Sequence, residues 1–320
     1  MSEMLTYPGL LATVGLAMLL AACGPAPTPR AETSAAAAPK PLMTPSEFQA
    51  LPTGEPDHQL AYGDEPAQIG HLRVPSGAGP FPVVVLIHGG CWRSYGTLRE
   101  LGPVGDMLRD DGIASWNIEY RQPPQPGGGW PGTFLDIARG VDHLRALAGT
   151  YPLDLNRIVI LGHSAGGHLA MWAASRARLG PNSDLYIPNA IKPTGVINLA
   201  GTMDLSVNIE FVETACQAPV VHDLLGGALS DVPVRYVESS VFKLLPIGVP
   251  QVMLWGEHEP FVPHAFARAQ VDAATKAGDR AVLLVVPGVG HFEIATTQEP
   301  SWPTLRGAVL SLLDGRLPAR

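Results

Sequence analysis

Clustered charge is what this chain most lacks. Only 16% of its 320 residues are charged, 21 Lys and Arg against 29 Asp and Glu, and no basic run stands out. Nothing in it could neutralise a phosphate backbone, so nucleic acid is excluded as a partner. No segment repeats, which excludes a solenoid. The longest apolar run, residues 10–20, is too short to span a bilayer. Cysteine is scarce, at three residues. The chain is 46% hydrophobic, enough to fill the core of one large α/β domain or of two small ones.

The apolar run fits the core of a signal peptide, although the opening MSEMLTYPG carries no Lys or Arg. Leu20-Ala21-Ala22-Cys23 follows at once and resembles the bacterial lipobox. That resemblance implies residues 1–22 as a lipoprotein signal and Cys23 as the lipid anchor that attaches the chain to a membrane of the cell envelope. Residues 23–45 turn to Pro, Ala, Thr and Ser, read as a tether. The folded domain is then expected over residues 46–320. With Cys23 spent on lipid, Cys91 and Cys216 remain as an even pair, either bridged in an oxidising compartment or two buried thiols.

From residue 69 onward, strand-like and helix-like patterns alternate. Val83–Ile87 and Arg157–Leu161 are aliphatic runs that suit strands buried on both faces, and residues 98–111, 133–148, 263–277 and 302–313 space apolar residues at helical intervals. Alternation of this kind predicts a mainly parallel sheet with helices on both faces. Residues 201–250 interrupt the rhythm with an excursion far longer than a crossover, a candidate cap over the site.

The chemistry concentrates in Gly162-His163-Ser164-Ala165-Gly166, between the strand Arg157–Leu161 and an Ala- and Leu-rich helix. A G-x-S-x-G turn in this setting lifts its serine clear of the sheet at a helix N-terminus, which makes Ser164 the candidate nucleophile. A hydroxyl needs a base, and the base needs an acid to hold its tautomer. His291, in Pro287-Gly288-Val289-Gly290-His291-Phe292 after the last predicted strand, is the final histidine and satisfies the chain order nucleophile, acid, histidine. His163 and His168 are read as structural.

Five segments share one resemblance: HGG-x-W at residues 88–92, EYR at 119–121, GHSAGGHLA at 162–170, GEHEPFVP at 256–263 and PGVGHF at 287–292. Together they resemble the α/β-hydrolase superfamily. The nearest likeness is to small serine esterases similar to hormone-sensitive lipase and kynurenine formamidase, often grouped as prolyl-oligopeptidase-like. The resemblance implies an α/β-hydrolase fold with a cap insert and a Ser-His-acid site without metal or organic cofactor. It puts the acid at Glu259, with Asp204 and Glu257 as competitors. It implies an oxyanion hole from the N–H groups of Gly90, Cys91 and Ala165, with Gly89 shaping the approach. Trp92 and Trp130, on loops at the carboxyl edge of the sheet, are either pocket walls or loop anchors. A Cys91–Cys216 bridge would tie the cap to the catalytic loop. The expectation is an exported, lipid-anchored hydrolase of small-molecule or polymer esters. The competing readings are an arylformamidase or other amidase, and a binding module that has lost its chemistry.

Overall fold

Aliphatic runs that cannot face water pair into one mixed sheet. The structure is a computed structural model that describes residues 41–207 and 209–319. Cys23 and the apolar run before it lie outside the described residues. The strands are β1 (His58–Ala61), β2 (Ile69–Arg73), β3 (Phe81–Ile87), β4 (Ala114–Ile118), β5 (Leu153–His163), β6 (Gly195–Leu199), β7 (Gln251–Gly256) and β8 (Ala281–Val286). Their spatial order is β1-β2-β4-β3-β5-β6-β7-β8. β2 runs antiparallel to both neighbours, and the strands from β4 through β8 are parallel. This is the expected α/β-hydrolase sheet. Val83–Ile87 and Ile158–His163 are buried throughout, so both faces of the sheet are covered at its centre.

The helices are α1 (Pro45–Gln49), α2 (Gly102–Asp110), α3 (Gly132–Asp142), α4 (Leu144–Ala148), α5 (Ala165–Ser175), α6 (Ile209–Cys216), α7 (Val220–Leu225), α8 (Pro233–Ser239), α9 (His264–Lys276) and α10 (Ser301–Leu313). α2 packs on β4, α9 on β7 and β8, and α5 and α10 on β5 and β6. Leu312 of α10 sits so close to Gly195 of β6 that a Cβ there would lie 2.7 Å from its side chain.

Two expectations change. The single helix read over residues 133–148 is broken after Asp142, whose carboxylate is taken up by Arg145, Arg176 and the Ile191 amide. The described fold takes in residues ahead of the expected start at residue 46. Thr44 caps α1 in a reciprocal box with Glu47, and Phe48 is buried, so the end of the expected 23–45 tether belongs to the domain.

Because β3 and β5 through β8 are parallel, their carboxyl ends share one edge of the sheet. The HGG, elbow, acid and histidine segments all leave from that edge. The insert at residues 201–250 folds as α6, α7, α8 and a short 3-10 turn, Val241–Leu244, with Val220, Val221, Leu224 and Tyr236 buried.

Candidate active site

The elbow is a packing solution before it is a chemical one. Added Cβ atoms at Gly162 and Gly166 would lie 1.9 Å from the Gly166 carbonyl oxygen and 2.1 Å from that of Ile87, so neither position tolerates a side chain. Between them Ser164 is held at φ 55°, ψ −121°, a strained conformation for a residue with a Cβ. Its amide donates to the Leu199 carbonyl at 2.8 Å, and its carbonyl accepts from Gly167 at 2.8 Å as α5 begins. Ser164 is half-buried and opens onto a cavity of about 290 Å³ that His291 also lines.

His291 and Glu259 form a direct polar pair. Nδ1 of His291 lies 2.9 and 2.8 Å from the two Glu259 carboxylate oxygens. The Glu259 side chain is wholly buried, and its Oε1 also accepts from the amides of Phe261 and Val262 at 2.8 and 3.0 Å. With the carboxylate on Nδ1, Nε2 is the ring nitrogen left to take a proton. The competing acids are engaged elsewhere. Asp204 accepts from the amide and hydroxyl of Ser206 at 2.8 and 2.6 Å, and Glu257, half-exposed, accepts from the Gly288 amide at 2.8 Å.

The two neighbouring histidines are neutral supports. His163 is fully buried, which drives its pKa well below the usual imidazole value, and the nearby His291 adds to the effect. Its Nε2–H donates to the His291 carbonyl at 2.9 Å, and the two rings stand 4.7 Å apart. His168, lowered to about 4 by burial, donates from Nε2 to the Ser239 carbonyl at 2.9 Å, which fastens α5 to the insert.

The segment after β3 brings the expected oxyanion donors beside the elbow, since Ile87 and Gly162 are register partners. Gly90 and Cys91 have φ of 100° and 56°. Among the described residues no protein acceptor takes the N–H groups of Gly90, Cys91 or Ala165, and all three residues line the cavity. Free donors at a helix N-terminus are what an alkoxide requires.

A polar brace under this loop accounts for the EYR segment. Nε2 of the buried His88 bonds to Glu119 at 2.8 Å, and Glu119 also accepts from the amides of Leu98 and Tyr120. Burial works to lower the pKa of His88, but the Glu119 charge and hydrogen bond prevail and raise it. Arg121 makes a two-pronged contact of 2.7 Å on each arm with the buried Asp136. The sequence marked EYR as a shared segment without giving it this role.

Cys91 and Cys216 are bridged, with Cα atoms 6.0 Å apart, so the oxyanion segment is joined to the end of α6 in the insert. Arg93 pairs with Asp223 of α7 as a second tie. Trp92 is buried in the cavity wall with its indole N–H unpartnered. Trp130 lies elsewhere: its ring meets Phe134 edge-on, its N–H reaches Asp184 at 3.4 Å, and Arg235 sits over its face. It anchors a loop. Among the described residues no group of three or more His, Cys, Asp or Glu is arranged to hold a metal ion.

Comparison with known proteins bears on the family and the fold. The BD-FAE family model matches residues 72–271. Esterase LipQ of Mycobacterium tuberculosis (strain ATCC 25618 / H37Rv) is 28% identical over 225 residues, covering 68% of this chain and 51% of that protein. The probable isoprenylcysteine alpha-carbonyl methylesterase ICME of Oryza sativa subsp. japonica is 26% identical over 246 residues, 73% of this chain and 58% of that protein. The chain thus spans between half and two thirds of the length of these curated relatives. Among solved structures, esterase B from Lactobacillus rhamnosis superimposes with a TM-score of 0.70 at 20% identity, over 84% of this chain and 89% of that one. A truncated carbohydrate esterase from gut microbiota gives 0.65 at 18% identity, over 80% and 95%. At these identities the superpositions establish the α/β-hydrolase fold.

Proposed function

The chain belongs to the BD-FAE family of α/β-hydrolases, and from that premise we propose that it is a serine esterase that hydrolyses carboxylic esters through Ser164, His291 and Glu259. The observation that carries the reading is the pairing of the buried Glu259 with His291, which lines the same cavity as the strained Ser164. In the proposed cycle, His291 Nε2 takes the Ser164 proton as Oγ adds to the ester carbonyl. Glu259 fixes the ring and stabilises the imidazolium. The alkoxide is received by the N–H groups of Cys91 and Ala165 with Gly90, each donor contributing about 3 kcal/mol to the transition state. Collapse expels the alcohol with a proton from His291. Water, activated by the same base, then releases the acid from the acyl-enzyme.

The Cys91–Cys216 bridge supports an oxidising location and therefore the export implied by the segment around Cys23. We propose lipid attachment there, tested by mass spectrometry of the mature N-terminus.

The catalytic reading is tested with a fluorophosphonate probe and p-nitrophenyl esters. Labelling and turnover are expected in the unmodified chain and absent in Ser164→Ala. Side-by-side rates on N-formylkynurenine and short esters separate esterase from arylformamidase. A protein that neither labels nor turns over any ester is the inactive binding module instead.

A further inference from the structure

Phe48 precedes the first strand and lies outside the matched residues 72–271, yet it lines the cavity of Ser164 and His291. Its position is fixed from both sides. Ahead of it, the Met43 amide bonds to the Glu293 carboxylate, which also accepts from Gly290 beside His291. Behind it, Gln49 donates from Nε2 to the Tyr95 carbonyl at 2.6 Å and to the buried Glu100 at 3.3 Å, both just beyond the oxyanion segment. α1 therefore straps the loop carrying the base to the loop carrying the oxyanion donors.

Within the strap, Phe48 is 2% exposed. Its ring stands 5.4 Å from His163, edge-on, and 5.4 Å from Phe292. The remaining wall of the cavity is largely apolar, with Trp92, Val212 and Phe261 among its residues. A wall of this kind takes an apolar group and rejects one too large for it. Phe48 sets an aromatic ring in that wall on its own short helix.

Resting on the serine esterase reading, we infer that Phe48 is a specificity-determining residue that limits the size of the apolar group an ester places beside Ser164. A purely structural Phe48 would also destabilise the protein when truncated, but it would lower the rate on all esters alike.

The test uses the full chain and its Phe48→Ala and Phe48→Trp variants with p-nitrophenyl esters from acetate to decanoate. Melting temperature and fluorophosphonate labelling report on folding and on the competence of Ser164. Phe48→Ala is expected to raise the ratio of kcat/KM on long over short esters about tenfold, the low end of what one methylene supplies in an apolar pocket. Phe48→Trp, which keeps the aromatic packing, is expected to lower the ratio below that of the unmodified chain, and it carries the test if the alanine variant does not fold. A ratio unchanged in a folded, labelled variant overturns the inference and leaves the esterase reading intact. Failure of the unmodified chain to label or to turn over any ester overturns both.

Discussion

Glu259 presents both carboxylate oxygens to the same nitrogen of His291, at 2.9 and 2.8 Å. A glutamate is one methylene longer than an aspartate, and the loop accommodates it by turning Oε1 back onto the Phe261 and Val262 amides. The longer arm is fixed by the same backbone that shapes the turn. Glu259→Gln is accordingly expected to lower kcat by about 10³- to 10⁴-fold, as a triad acid does when it loses its charge. Asp204→Asn, whose carboxylate serves Ser206, should stay within a few-fold of the parent. Steady-state kinetics of the two variants decide between them, and equal losses would remove the special place of Glu259.

The bridge between Cys91 and Cys216 joins the oxyanion segment to the insert across 125 residues of sequence. Cys216→Ser is expected to cost about 3–5 kcal/mol in urea unfolding, because a loop of that length gains much freedom in the unfolded chain. It should also lower kcat more than it changes KM, since the Cys91 N–H is a proposed oxyanion donor. A variant with parental kcat would mean that the segment holds its shape without the bridge.

His168 makes stability depend on pH. Burial lowers its pKa from 6.5 to about 4, so between those values the unfolded chain binds a proton that the folded chain refuses. Its contribution is complete above about pH 6.5 and is lost as pH falls toward 4. Between pH 7 and pH 5 the loss from this residue is about 2 kcal/mol, and the fully buried His163 acts in the same direction. His168→Gln keeps an N–H able to reach the Ser239 carbonyl and should flatten this part of the profile. Urea midpoints at the two pH values measure it, and an equally steep variant would assign the dependence to other groups.

Glu119 braces the oxyanion loop through His88. Glu119→Gln removes the charge that holds His88 and is expected to destabilise the fold by about 3 kcal/mol. The loop it leaves behind should also bind the transition state less well, seen as a fall in kcat with KM nearly constant. Loss of stability with parental kcat would confine Glu119 to folding.

Much of this architecture was legible because burial on both faces leaves its mark on sequence. Val83–Ile87 and Ile158–Leu161 carry no polar residue, and both are strands. β1 escaped because its residues, His58-Gln59-Leu60-Ala61, are mostly exposed and gain strand form only by pairing with β2. The broken helix after Asp142 escaped because helical spacing continues through it, whereas the partners that claim Asp142 come from distant segments. Ser164, His291 and Glu259 lay in motifs tied to strand ends and were visible. Phe48 and Glu100 were not, since a lone aromatic and a lone acid carry no pattern. Thr44-Pro45-Ser46-Glu47 did announce a helix start, but it sat at the end of a Pro- and Ala-rich run whose composition concealed it.

The sulfur bridge has a topological consequence. Cys91 and Cys216 close a covalent ring that contains Ser164 but neither Glu259 nor His291. Pro124–Gly127, exposed at the tip of a loop within the ring, is a natural point for a protease to cut. A single cut there would open the ring without freeing either fragment, because each retains one half of the cystine. Nicked protein would migrate as one chain until a reductant separated the pieces. Ser164, Glu259 and His291 would share the C-terminal fragment, and the bridge alone would hold Gly90 and Cys91 to it.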